Sequence, residues 1–225
     1  MLKAVLFDLD ETLIDAHDAH LAATQATFEA NGLDYDQARR NTAGIDFMGL
    51  RQREILRTLR DSLAVGQDEV SLAKLLHERD ERFVATLSTA YVLPGAQDAL
   101  RAVHDLGLIT AVVSSSTNRA IRHVLSHFRL DGLVNFVVSG DDVTHGKPDP
   151  ECYQLALRRL QSGQVVGHGD CLVVEDAPNG VQAAQGAGLP VCYVPSRPNL
   201  PVEGVHCQLD SLCEFPSLVL RVTRA

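Results

Sequence analysis

Long apolar runs are missing from this chain. No hydrophobic stretch approaches the roughly 18 residues that a membrane-crossing helix needs. The N-terminus passes from Met1-Leu2-Lys3 straight into a short apolar strand ending in acids, without the apolar core and small-residue cleavage site of a secretory leader. Basic residues are in deficit, with 20 Lys plus Arg against 29 Asp plus Glu and a formal net charge of −9. A field of that sign gives no footprint for nucleic acid or an anionic membrane. Cysteine pairs are absent as well: Cys152, Cys171, Cys192, Cys207 and Cys213 fall at irregular spacings with no CxxC. An odd set of this kind reads as reduced, buried thiols and excludes a disulfide framework or a zinc site. Internal repeats and low-complexity tracts are also lacking. The expectation is a soluble cytoplasmic protein with no nucleic-acid or membrane partner. What is present is 225 residues, 45% hydrophobic and 22% charged, enough for one large domain or one domain with an insertion.

Short runs rich in Val, Ile and Leu occur at Ala4 to Leu9, Ile109 to Val113, Val134 to Val138, Leu172 to Val174 and Val191 to Val194. Most do not alternate with polar residues, which predicts strands buried on both faces of a parallel sheet. Helical patterns lie between them: Ala96, Ala99, Leu100 and Val103; Ile121, Val124, Leu125 and Phe128; Tyr153, Ala156, Leu157 and Leu160. Alternating strands and helices predict an α/β fold with a Rossmann-like parallel sheet. The segment from about Ala16 to Ser88 offers only helical patterns, at Leu21 to Ala30, Leu50 to Leu63 and Ser71 to Leu87, interrupted at Gly32, Gly44 and Gly66. It reads as a helical insertion directly after the first strand, and Pro94-Gly95 marks the return.

In open parallel sheets ligands bind beyond the carboxyl ends of the strands. The first run ends Asp8-Leu9-Asp10-Glu11-Thr12 and the fourth ends Glu175-Asp176. Two acidic clusters brought together repel unless a cation joins them, and an oxygen-only set suits Mg²⁺. Helix capping is the alternative reading for either cluster alone. The second run ends Ser114-Ser115-Ser116-Thr117-Asn118 before a helix, where hydroxyls and free N–H groups form an anion site. After the third run, Asp149 and Pro150 can open the next helix. That leaves Lys147 on a loop at the same sheet edge; alone it would read as a solvated lysine.

These stretches, Asp8-Leu9-Asp10-Glu11-Thr12, Ser114, Lys147-Pro148 and Glu175-Asp176, resemble in order and strand context the four motifs of the haloacid dehalogenase superfamily. The resemblance spans about Lys3 to Val194. The insertion resembles the small cap of the subgroup that contains β-phosphoglucomutase and many sugar-phosphate phosphatases, as does Val174-Glu175-Asp176-Ala177-Pro178-Asn179-Gly180-Val181-Gln182-Ala183-Ala184. It implies a core of residues 1–15 and 89–225 with a helical cap of residues 16–88. It also implies Asp8 as the nucleophile that forms an aspartyl-phosphate, and Asp10 as general acid and then base. Mg²⁺ would be held by the Asp8 carboxylate, the Asp10 carbonyl and Asp176, with Glu175 helping directly or through water. Ser114 and the Ser115 N–H would bind phosphoryl oxygens, and Lys147 would neutralise both Asp8 and the phosphate. The second aspartate at Asp10 favours phosphate chemistry over dehalogenation, and Lys74, the only cap lysine, reads as a surface residue rather than a phosphonatase lysine. Glu11 stands where the subgroup commonly has glycine.

The expected activity is hydrolysis of a small phosphorylated metabolite. The alternatives are a sugar-phosphate mutase and a catalytically idle binding protein. Related mutases hold a second phosphate with a cap-loop arginine, and Gly44-Ile45-Asp46-Phe47-Met48 has none, which leaves Arg51, Arg53 or Arg79 as substitutes. His123 and His127 sit four apart but off the apolar face of their helix, so a solvated face is expected rather than a metal site. His17 and His20 are placed at the hinge or mouth, with His20 resembling a position near the mutase active site, His145 near Lys147, and Arg53, Arg57 and Arg60 on a solvated helix face.

Overall fold

The computed structural model describes residues 1–63, 70–163, 166–196 and 202–224; Gly66 lies outside the described residues. A six-stranded, wholly parallel sheet runs in the order β5-β4-β1-β6-β7-β8. Its strands are β1 (Ala4–Phe7), β4 (Ile109–Val113), β5 (Phe136–Val138), β6 (Cys171–Glu175), β7 (Val191–Tyr193) and β8 (Cys207–Gln208). Successive side chains of a strand point to opposite faces, and both faces are covered. Val5, Phe7, Val112, Val174 and Cys192 enter one core cluster. Ala4, Leu6, Ala111, Val113, Val173 and Tyr193 enter the other.

Helices α5 (Ala96–Asp105), α6 (Asn118–His127) and α9 (Phe215–Arg224) cover the first face. Helices α7 (Glu151–Gln161) and α8 (Pro178–Gly186) cover the second. The apolar residues read from the sequence on α5, α6 and α7 are buried, except for the half-buried Phe128 just past the end of α6. Gly95 has φ +82°, and a Cβ there would lie 2.3 Å from the backbone N of Cys213, so the turn into α5 tolerates only glycine.

Between β2 (Ile14–Asp15) and β3 (Tyr91–Val92), an antiparallel pair of two-residue strands, lie α1 (His17–Ala30), α2 (Tyr35–Asn41), α3 (Gln52–Asp61) and α4 (Leu72–Thr86). This insertion has its own apolar cluster of Phe28, Leu33, Ala38, Leu56, Leu59 and Leu75. Helices α1 and α4 also send Ala19, Ala23 and Phe83 into the main core, so they join the two bodies. Helix α2 was not evident from the sequence, although its start is signalled by Asp34, whose carboxylate accepts from the Gln37 N–H at 2.8 Å. Among the cysteines, Cys152, Cys171 and Cys192 are buried as expected, whereas Cys213 is exposed.

Candidate active site

The register of the sheet assembles the site. Phe7 is the direct partner of Val112 on β4 and Val174 on β6, so the residues that follow these strands emerge together at one edge. Asp8 leaves β1 with its N–H on the Val174 carbonyl at 2.9 Å, and Ser114 leaves β4 with its N–H on the Val138 carbonyl at 3.0 Å. The loop after β5 brings Lys147 inward. Its Nζ donates to Asp8 Oδ1 at 2.6 Å, Glu175 Oε1 at 2.6 Å and the Val113 carbonyl at 3.0 Å. That uses all three ammonium donors, so Lys147 is a buried strut and not a solvated loop residue.

Oxygens of Asp8, Glu175 and Asp176 lie within 4.8 Å of one another, and all three residues are buried. Burial pushes the Asp8 carboxyl well above the usual range against the pull of Lys147, with Glu175, Asp176 and Asp10 adding to the rise. Burial and the neighbouring Glu175 push Asp176 to about 7. The three carboxyl groups face one ammonium, which bonds only Asp8 and Glu175, and this all-oxygen donor set fits a hard divalent cation such as Mg²⁺. Gly180 on α8 makes room for the cluster: a Cβ there would fall 2.0 Å from Glu175 Oε2.

Asp10 is held from both sides. Its Oδ2 accepts from the Ser116 hydroxyl at 2.8 Å and more weakly from Ser114 at 3.4 Å, and its Oδ1 meets His20 Nε2 at 2.9 Å. Arg79 Nη2 contacts His20 Nδ1. A guanidinium can only donate, so Nδ1 accepts and Nε2–H donates to Asp10. Burial depresses the His20 pKa, which keeps this ring neutral. Burial also opposes ionisation of Asp10, but the interactions with His20 and Ser116 outweigh it and lower the Asp10 pKa. Arg79 is fully buried, stacked over Phe83 and paired with Asp80, which accepts from the Thr117 hydroxyl at 2.6 Å.

Of the residues expected from the sequence, Asp8, Asp10, Ser114, Ser115, Lys147, Glu175 and Asp176 all line one cavity of about 280 Å³. The Ser115 hydroxyl turns to the Gly49 carbonyl of the insertion at 2.8 Å, while its N–H meets no protein acceptor among the described residues. Ser116 and Asp80 are neighbours of the site that the sequence did not single out, and Arg79, weighed from the sequence only as a second-phosphate arginine, instead contacts His20 and pairs with Asp80. His20, expected at the hinge or mouth and at a position resembling one near the mutase active site, touches Asp10 directly. Arg51 and Arg79 are committed, the former to Glu54 and the Val143 carbonyl. Arg53 and Arg57 are exposed, but Arg60 is buried and paired with Asp61, which corrects the solvated-face reading for that residue. His123, His127 and His145 are exposed.

Residues 5–194 match the family model of haloacid dehalogenase-like hydrolases. The chain belongs to this family. It is 32% identical over 194 residues to the phosphorylated carbohydrates phosphatase of Thermotoga maritima, covering 85% of this chain and 84% of that protein. A CbbY variant of Rhodobacter sphaeroides, solved with xylulose-(1,5)bisphosphate, superimposes with TM-score 0.79 at 25% identity, covering 95% of this chain and 96% of that one. The β-phosphoglucomutase of Clostridium difficile shares the fold with TM-score 0.79 at 22% identity, covering 100% and 98% of the two chains. The protein is thus an enzyme of the haloacid dehalogenase-like hydrolases, among relatives that are phosphatases.

Proposed function

We propose that this hydrolase is a Mg²⁺-dependent phosphatase that cleaves a small phosphorylated metabolite through an aspartyl-phosphate on Asp8. The observation that carries the reading is the Lys147 ammonium, bonded to both Asp8 and Glu175 and buried beside Asp176. A carboxylate alone repels a phosphate dianion; one bracketed by a lysine and a cation site can approach it. Bound Mg²⁺ would be held by the Asp8 and Asp176 carboxylates, the Asp10 carbonyl and Glu175, and would offset charge on the phosphoryl oxygens.

In the proposed reaction a carboxylate oxygen of Asp8 attacks phosphorus as the bond to the leaving oxygen breaks, and Asp10 gives that oxygen its proton. Water then attacks phosphorus, Asp10 takes the water's proton, and the bond to Asp8 breaks to release inorganic phosphate. The lowered pKa of Asp10 presets the base form used in this second step. In the first step, the charge of the incoming phosphate would favour proton uptake by Asp10. Ser114 and the Ser115 N–H would receive the phosphoryl oxygens. Residues 16–88 would act as the cap, whose side chains Leu21, Ile45, Phe47, Met48 and Leu50 line the leaving-group half of the cavity.

A bisphosphate-dependent mutase is the second reading. Arg39 favours it, because its guanidinium lies 5.3 Å above the Phe47 ring at the same cavity and could meet a second anion. Phosphate release from p-nitrophenyl phosphate, with and without Mg²⁺, tests the first reading in wild type and Asp8→Asn. Mg²⁺-dependent release by wild type alone is the expected result; equal release by both proteins contradicts it. Conversion of a sugar phosphate to its isomer, without net phosphate release, would favour the mutase.

A further inference from the structure

One fully buried phenol beside the site has no part in the reaction above. Tyr153 lies on the apolar face of α7 at 0% exposure, and its hydroxyl bonds Glu175 Oε1. An ionised carboxylate only accepts, so the phenol donates; burial pushes its own pKa well up and keeps that proton in place. The same Oε1 takes Lys147 Nζ at 2.6 Å, and the ammonium sits 5.3 Å from the centre of the Tyr153 ring. Two donors therefore converge on one oxygen of Glu175, while Oε2 has no protein donor among the described residues; the carboxylate as a whole lies against Gly180, where a Cβ would fall 2.0 Å from Oε2 and 2.2 Å from Oε1.

We propose that Tyr153 is a positioning residue: by fixing Oε1 together with Lys147, it holds Glu175 in the one rotation that keeps Oε2 available to the divalent cation. The inference rests on the reading of Asp8, Glu175 and Asp176 as the cation site. Lys147 alone would not hold Glu175 in this way, because its ammonium is shared with Asp8 and the Val113 carbonyl. The phenol belongs to Glu175 alone. Hydrogen-bond partners behind a ligand typically set metal affinity by about 10-fold or more.

The test is calorimetric titration of Mg²⁺ into metal-free wild type, Tyr153→Phe, Glu175→Gln and the double variant, with melting curves of each. Phenylalanine keeps the buried ring, so the metal-free melting temperature should stay close to wild type. The Mg²⁺ dissociation constant of Tyr153→Phe should rise by about 10-fold. The phenol acts through Glu175, so the double variant should bind no more weakly than Glu175→Gln. Unchanged Mg²⁺ affinity in Tyr153→Phe, or an equal further loss in the Glu175→Gln background, overturns the role assigned to Tyr153. Wild type that binds no Mg²⁺ overturns the cation site itself, and this inference with it.

Discussion

Arg51 Nη1 donates to the Val143 carbonyl at 3.0 Å and so ties the insertion to the loop that carries Lys147. Its stem fills the space over Gly146, where a Cβ would lie 2.7 Å from Arg51 Nε. The flanking residues receive matching bonds from two other strand ends: Ser115 Oγ, on the loop after β4, donates to the Gly49 carbonyl at 2.8 Å, and Asn179 Nδ2, in the first turn of α8, donates to the Met48 carbonyl at 2.9 Å. Residues 48–51 thus fasten the insertion to the loop after β4, the loop that carries Lys147 and the start of α8. Arg51→Ala is expected to loosen this closed arrangement by about 1 kcal/mol, or about 5-fold in kcat/KM. Steady-state kinetics check it, and an unchanged kcat/KM would count against the clasp.

Gly180→Ala drives a methyl group into the Glu175 carboxylate, which cannot swing aside because Lys147 and Tyr153 hold it. A loss of about 1–3 kcal/mol is expected from the overpacking. Gly44→Ala meets nothing within 4 Å and serves as the control. Chemical denaturation of the pair checks the difference.

Arg79 and Asp80 form a buried ion pair linked to Thr117, the N-cap of α6. Asp80→Ala removes the partner carboxylate from a guanidinium with no access to water. Breaking one side of a buried pair costs about 3–5 kcal/mol, so this variant should melt well below wild type. A shift as small as that of a surface substitution would contradict the assigned pairing.

Asp176 is raised in the fold to about 7 from the usual carboxylate value, and Asp8 is raised too. A raised acid contributes stability fully below its unfolded pKa and loses it as pH climbs through the folded pKa. The metal-free protein should therefore lose this contribution between about pH 4 and pH 7. Mg²⁺ competes with protons for the same oxygens, so the rise in melting temperature it causes should be larger at about pH 8 than at about pH 6. Melting curves with and without Mg²⁺ at both pH values decide it; equal shifts at the two contradict the prediction.

Glu11 occupies a left-handed conformation with φ 63°, which gives a backbone reason for the glycine common at this position in the subgroup. Glu11→Gly should fold at least as stably as wild type. A β-branched side chain is strained there, and Glu11→Val should lose about 1–2 kcal/mol. Denaturation midpoints of the two variants test the sign.

The core and the four strand-end stretches were legible because their cause is local. An apolar run buried on both faces must lie in the sheet, and the polar residue that follows it must emerge at the carboxyl edge, so Asp8, Ser114 and Glu175 were placed by position alone. Lys147 needed all four stretches together. The two-residue strands β2, β3 and β8 were too short to show a period, and α9 gave no pattern that was read, although Phe215 packs edge-on against Phe7 with ring centres 5.4 Å apart. The partners of Asp10 and Glu175 were hidden for a different reason. Ser116 sits in a run of hydroxyls that all look alike, and Tyr153 satisfies an apolar helix face while its hydroxyl reaches elsewhere. The approach of Arg79 to His20, 59 residues apart, depends on how α1 packs against α4.

The proposed hydrolysis depends on a covalent bond at Asp8. Rapid acid quench of wild type turning over a phosphorylated substrate with Mg²⁺, followed by peptide mass analysis, tests it most directly. One phosphoryl group on the peptide that contains Asp8, labile to hydroxylamine and absent from Asp8→Asn, is the predicted result. Turnover with phosphate trapped on another residue, or turnover retained in full by Asp8→Asn, would contradict it.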